Sequence, residues 1–70
     1  MDKLEELGWE KGEVDTDIVY SKKDKNGIIY KRIMISKTSH NVLILNTQFG
    51  VYALFEKEAL ALADVLKEMQ

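Results

Sequence analysis

The sequence has no cysteine and only one histidine, His40. Disulfides and thiolate zinc sites are therefore excluded, and so is a multi-histidine metal site within one chain. The four glycines are isolated at turns, so no glycine-rich loop is available to cradle a phosphate. No apolar run approaches the roughly 20 residues a membrane-spanning helix needs. The opening residues are acidic and polar, unlike a signal peptide. A cysteine-free chain of this kind is expected in the cytoplasm.

Catalytic chemistry is equally sparse. Ser39-His40 is an adjacent pair in a polar loop, but nucleophile–base pairs are recognised by spatial geometry, not by adjacency. The carboxylates of residues 10–17 lack calcium-loop spacing and its terminal glutamate. The expectation is a non-enzymatic protein with no catalytic residue, no cofactor and no metal. Seventy residues make a single domain, 1–70, near the lower end of what folds alone. Domains of this size lean on disulfides, a metal or oligomerisation, and here only oligomerisation remains.

What the chain does have is unbroken apolar runs: Ile18-Val19-Tyr20, Ile28-Ile29-Tyr30, Ile33-Met34-Ile35, Val42-Leu43-Ile44-Leu45 and Val51 to Phe55. A strand with one wet face alternates apolar and polar residues with period two. These runs do not, which implies a sheet covered on both faces. One C-terminal helix covers one face. The N-terminal segment, a second copy of the chain or a ligand is needed for the other.

Charge is segregated along the chain. Residues 1–17 carry seven acids against Lys3 and Lys11, and residues 18–37 carry six bases against Asp24. The two thirds can attract each other, or the basic third can meet an acidic partner. The acidic total, −2 with a pI near 5.3, argues against nucleic acid.

Along the chain, Asp2 and Glu5 have capping-box spacing at the start of a short helix bearing Leu4 and Leu7. Gly8 reads as its left-handed C′ residue, and Trp9 as the apolar residue that folds back on it. Residues 10–16 read as a loop or a ragged edge strand. Ile18 to Ile35 is a hairpin whose turn has two solutions. Asn26-Gly27 alone suits a type I′ turn, whereas Asp24-Lys25-Asn26-Gly27 suits a type I turn closed by a glycine bulge. The first register sets Lys22 opposite Lys31, a like-charge pair, so the second is preferred. It sorts Val19, Ile29, Ile33 and Ile35 onto an aliphatic face, with Lys31 snorkelling past the helix end. Ile18, Tyr20, Lys22, Ile28, Tyr30, Arg32 and Met34 fall on the other.

Residues 36–41 read as a polar loop, Val42 to Leu45 as a third strand, Asn46 to Gly50 as a turn and Val51 to Phe55 as a fourth strand. Glu56 to Met69 reads as a helix with a stripe of Ala59, Leu62, Leu66 and Met69, extended by Phe55 and flanked by Val65. Leu60 points away from it. The fold expected is α+β: a short N-terminal helix, a four-stranded antiparallel sheet, and a C-terminal helix packed on one face. The core expected is Val19, Ile33, Ile35, Leu62 and Leu66.

Tyr20, Lys22, Ile28, Tyr30, Arg32 and Met34 form the candidate partner or nucleic-acid face. Rings on a sheet stack bases and nearby cations meet phosphates, as in single-strand binders. The same residues also make ordinary cation–π cross-strand pairs and a contact surface. The expected role is an interaction module that forms a homodimer through this face. Nucleic-acid binding or regulation through the same face is the alternative, and a small-ligand pocket between sheet and helix a weaker one.

The Leu-Glu-Glu-Leu-Gly-Trp opening, the strands around an Asx-Gly turn and the acidic helix after Phe55 give the chain a recognisable layout. In that layout it resembles small uncharacterised proteins carried by phages and prophages of low-GC bacteria. The resemblance includes no specific motif and implies no catalytic residue.

Overall fold

The capping box at Asp2 forms as its spacing requires. In the computed structural model, which describes residues 1–47 and 53–70, the Asp2 carboxylate accepts from the Glu5 N–H at 2.9 Å. The Asp2 N–H in turn donates to Glu5 Oε1 at 3.1 Å. The helix they open, α1 (Lys3–Glu6), is one turn long. It ends in a Schellman closure, in which the Gly8 N–H donates to Glu5 O and the Trp9 N–H to Leu4 O. Gly8 has φ +95°, which favours glycine. Leu4 and Trp9, five residues apart across this closure, are both buried in the core.

Four strands follow: β1 (Glu10–Val14), β2 (Asp17–Lys23), β3 (Ile29–Ser36) and β4 (Val42–Asn46). They form one antiparallel sheet in the order β1-β2-β3-β4, and α2 (Glu56–Glu68) closes the chain. The architecture is α+β, with helices at both ends of a meander. The first strand is the acid-rich 10–14 segment, one of its two sequence readings. Asp15, at φ +54°, makes the turn into β2. Residues 53–55 are not in a strand, and Val51 and Tyr52 of the expected fourth strand lie outside the described residues, as do residues 48–50 of the expected turn.

The β2–β3 hairpin combines both turn readings. The Gly27 N–H donates to Asp24 O, the Asp24 N–H to Ile28 O, and Gly27 sits at φ +81°. This is the preferred turn, type I closed by a glycine bulge. Between Lys22 and Lys23, however, the pairing shifts: Lys23 faces Ile29 and Lys22 faces Lys31, which leaves Tyr30 as an extra residue. This second bulge undoes the offset of the first. The body of the hairpin therefore adopts the register that the sequence reading rejected, with Val19 opposite Met34, Tyr20 opposite Ile33 and Ser21 opposite Arg32.

The register shift exchanges the faces of β2. Tyr20 joins Ile33 and Ile35 beneath the helices, and Val19 turns to the opposite side, where it is buried at 8% exposure but stands apart from the cluster expected for it. The core is Leu4, Trp9, Tyr20, Ile33, Ile35, Ala61, Leu62 and Val65, with Leu66 partly buried against it. The buried stripe of α2 runs through Glu58, Ala61, Leu62 and Val65, while Ala59 and Phe55 are exposed. It is rotated from the expected stripe because Trp9 and Leu4 share the same side of the sheet. Both helices pack on one face, and neither covers the other.

Candidate interaction surface

Beneath α2, the sheet face ends in a charged corner. Lys31 follows the parity of Ile33 and Ile35 and is carried into the interior at 2% exposure. It does not snorkel. Its Nζ donates to Glu58 Oε1 at 2.7 Å, and Glu58 is likewise 2% exposed. Lys22, opposite Lys31 in the sheet, brings its Nζ to 3.6 Å from Glu58 Oε2 and donates to Leu7 O at 3.1 Å. Glu58 also accepts from the Phe55 N–H at 3.0 Å, which fastens the first turn of α2. One carboxylate thus lies between two lysines, and the like-charge juxtaposition becomes a bridged one.

Burial works against ionisation of Glu58. The hydrogen bonds from Lys31 and Phe55, together with the charges of Lys31 and Lys22, outweigh it and hold the carboxyl below the usual carboxylate range. Lys31 Nζ also lies 4.1 Å from the Phe55 ring centroid and 5.6 Å from that of Tyr30. A groove of about 390 Å³ beside this corner is lined by Leu7, Lys22, Phe55, Glu56, Lys57 and Glu58. Two of its four charged groups, Lys22 and Glu58, are occupied with each other and with the backbone.

Tyr20 is fully buried, and its hydroxyl donates to Asp2 Oδ2 at 2.5 Å. Burial and the neighbouring carboxylate push the Tyr20 hydroxyl well above its usual range. Burial also opposes ionisation of Asp2, but the bonds from Tyr20 and the Glu5 N–H, with Lys11 at 3.6 Å, keep its carboxyl low. The Asp2–Tyr20 contact ties the N-terminal cap to the middle of the sheet.

The proposed basic-aromatic set is accordingly divided. Tyr20 and Lys22 lie under the helices, and Tyr30 occupies the bulge. Ile28 is exposed in the turn. Only Arg32 and Met34 share the open face. The register shift at Lys22/Lys23 separates them, and the placement does not form the aromatic platform expected from the bulged register.

The open face is arranged in cross-strand rows. One row runs Glu10, Ser21, Arg32, Leu45, and the next Gly12, Val19, Met34, Leu43. Leu43 and Leu45 are 49% and 40% exposed, and Ile29 and Val14 are exposed as well. A shallow depression of about 420 Å³ lies over Gly12, Val19, Ser21, Arg32 and Met34. Among the described residues Arg32 makes no ion pair, and its Nε is buried without a hydrogen-bond partner. The sequence reading did not place Gly12, Glu10, Leu43 or Leu45 at a site. The unbroken Val42–Leu45 run was the signal for the two leucines, since one residue of each neighbouring pair must face away from the helices.

No group of three His, Cys, Asp or Glu that could hold a metal stands together among the described residues. No described helix is long and apolar enough to cross a membrane. In comparisons with known proteins, the chain matches no family model, no curated protein and no solved structure.

Proposed function

We propose that this protein is a non-enzymatic interaction module that self-associates through the open face of its sheet. The observation that carries the reading is the row pair Ser21-Arg32-Leu45 and Val19-Met34-Leu43. It exposes Leu43 and Leu45 beside a partly buried methionine and an unpaired arginine, a residue mix enriched at protein interfaces. Exposed apolar side chains grouped on one sheet face of a small domain suit a docking surface. The division of Tyr20 and Lys22 from Arg32 weakens the nucleic-acid alternative, because base stacking needs rings on the exposed face.

Sedimentation equilibrium across micromolar to near-millimolar concentration tests this reading. A concentration-dependent rise to twice the monomer mass supports it, and a single species of monomer mass throughout rejects it. Added salt discriminates further. Phosphate binding weakens steeply with salt, whereas an association with apolar contacts at its centre weakens far less.

A further inference from the structure

Building on the reading that the open face self-associates, we infer that two copies stack face to face about a two-fold axis lying between β2 and β3 and parallel to the strands, with Arg32 of each copy bound to the partner's Glu10. The inference comes from register and charge. Such an axis sets β2 over the partner's β3 and β1 over the partner's β4 while keeping each row over itself. Val19 then meets the partner's Met34, and Ser21 meets the partner's Arg32. That guanidinium sits one strand from Glu10, because Glu10 pairs with Ser21.

Shape agrees with charge. The same operation brings the partner's Leu43 over Gly12. A Cβ built on Gly12 meets nothing within 4 Å, so the space above it is free for an incoming side chain. The exposed leucine of β4 and the dent of β1 are a knob and a hole on one self-complementary surface. Stacked sheets keep their strands within about 30° of each other. The match is therefore closest over β2 and β3, and the long arginine side chain spans the offset at β1.

The other in-plane two-fold, perpendicular to the strands, sets β3 over the partner's β3. It likewise sets β1 over the partner's β1 and β4 over the partner's β4, so Leu43 never reaches the partner's Gly12. The knob then has no hole opposite it, and this selects the first axis. Among the described residues Glu10 pairs with Lys23, at 3.4 Å between two exposed side chains, a contact of little weight that allows Glu10 to turn to the partner.

A charge-exchange cycle read by sedimentation equilibrium at low salt tests the arrangement. Arg32→Glu and Glu10→Arg are each expected to weaken dimerisation at least tenfold, and the double variant to return it to within about threefold of the parent protein. Gly12→Leu fills the dent and is expected to weaken the dimer at least tenfold while leaving the monomer's circular dichroism and melting unchanged. A parent protein that stays monomeric overturns the self-association reading and this inference together. A dimeric parent whose double charge exchange is no tighter than the singles, or whose Gly12→Leu variant dimerises normally, overturns this arrangement alone.

Discussion

Lys31 and Glu58 form an ion pair, Nζ to Oε1 at 2.7 Å, with both side chains almost wholly removed from solvent. They join the third strand to the first turn of the closing helix. Lys22 approaches the second oxygen of the same carboxylate, so three charges from three elements share one corner. The pair explains why the hairpin accepts two lysines face to face. Cross-strand like charges are unfavourable when solvent alone separates them, and here an anion stands between.

The pair is expected to behave as a unit. Lys31→Met leaves Glu58 buried with only the more distant Lys22, and Glu58→Leu leaves Lys31 buried and unpaired. Each is expected to cost about 3–5 kcal/mol in urea unfolding. The double variant is expected to regain most of that loss, because two apolar side chains replace two desolvated charges. Additive losses in the cycle would refute the coupling.

Stability is expected to fall at both pH extremes, for different reasons. Glu58 and Asp2 titrate below their usual 4.5 and 3.8, so their stabilisation is full above those values and is lost as pH falls through the lower folded ones. Tyr20 titrates above its usual 10.0, so its stabilisation is full below pH 10 and is lost as pH rises beyond it. Melting temperature against pH checks both limbs. Tyr20→Phe is expected to flatten the alkaline limb and leave the acid limb of Glu58. An unchanged alkaline limb would mean that the Tyr20 hydroxyl is neither buried nor bound to Asp2 as described.

Helix docking is expected to depend on the rotated stripe. Leu62→Ala removes a buried side chain and leaves a cavity, at a cost of about 2–5 kcal/mol. Leu66 is only partly buried, and its truncation is expected to cost less. Leu60, 63% exposed, is expected to tolerate alanine within about 0.5 kcal/mol. Chemical denaturation of the three variants gives the order, and equal losses at 60 and 62 would reject the docking.

Gly27 is expected to be needed for its backbone alone. A Cβ there meets nothing within 4 Å, yet φ is +81°. Gly27→Val is expected to destabilise by about 1–2 kcal/mol through conformational strain. Gly27→Asn is expected to cost less, since asparagine tolerates the left-handed region. Equal melting of both variants and the parent would place the turn elsewhere.

Local chemistry made much of the fold legible. The Asp2–Glu5 box, the Gly8–Trp9 closure, the Asp24–Gly27 turn and the start of α2 near Glu56 are each written in a few consecutive residues, because each is held by bonds spanning three or four positions. The apolar runs gave the four-stranded antiparallel sheet its class, although the first strand proved to be the acidic 10–14 segment. That strand has almost no apolar residue of its own, and its place is set by β2.

The face assignments were not legible, and the candidate site fell with them. They turn on one extra residue, Tyr30, where a second bulge offsets the first and exchanges the sides of Tyr20 and Val19. A local like-charge argument favoured the opposite register, because the carboxylate that bridges Lys22 and Lys31 is Glu58, 27 residues beyond Lys31 in the chain. The sequence by itself determined the caps, the turn and the two-sided apolar character of the strands. Only the tertiary structure decided which side each residue faces, since a bulge costs little locally and the choice is made by the distant groups it brings together.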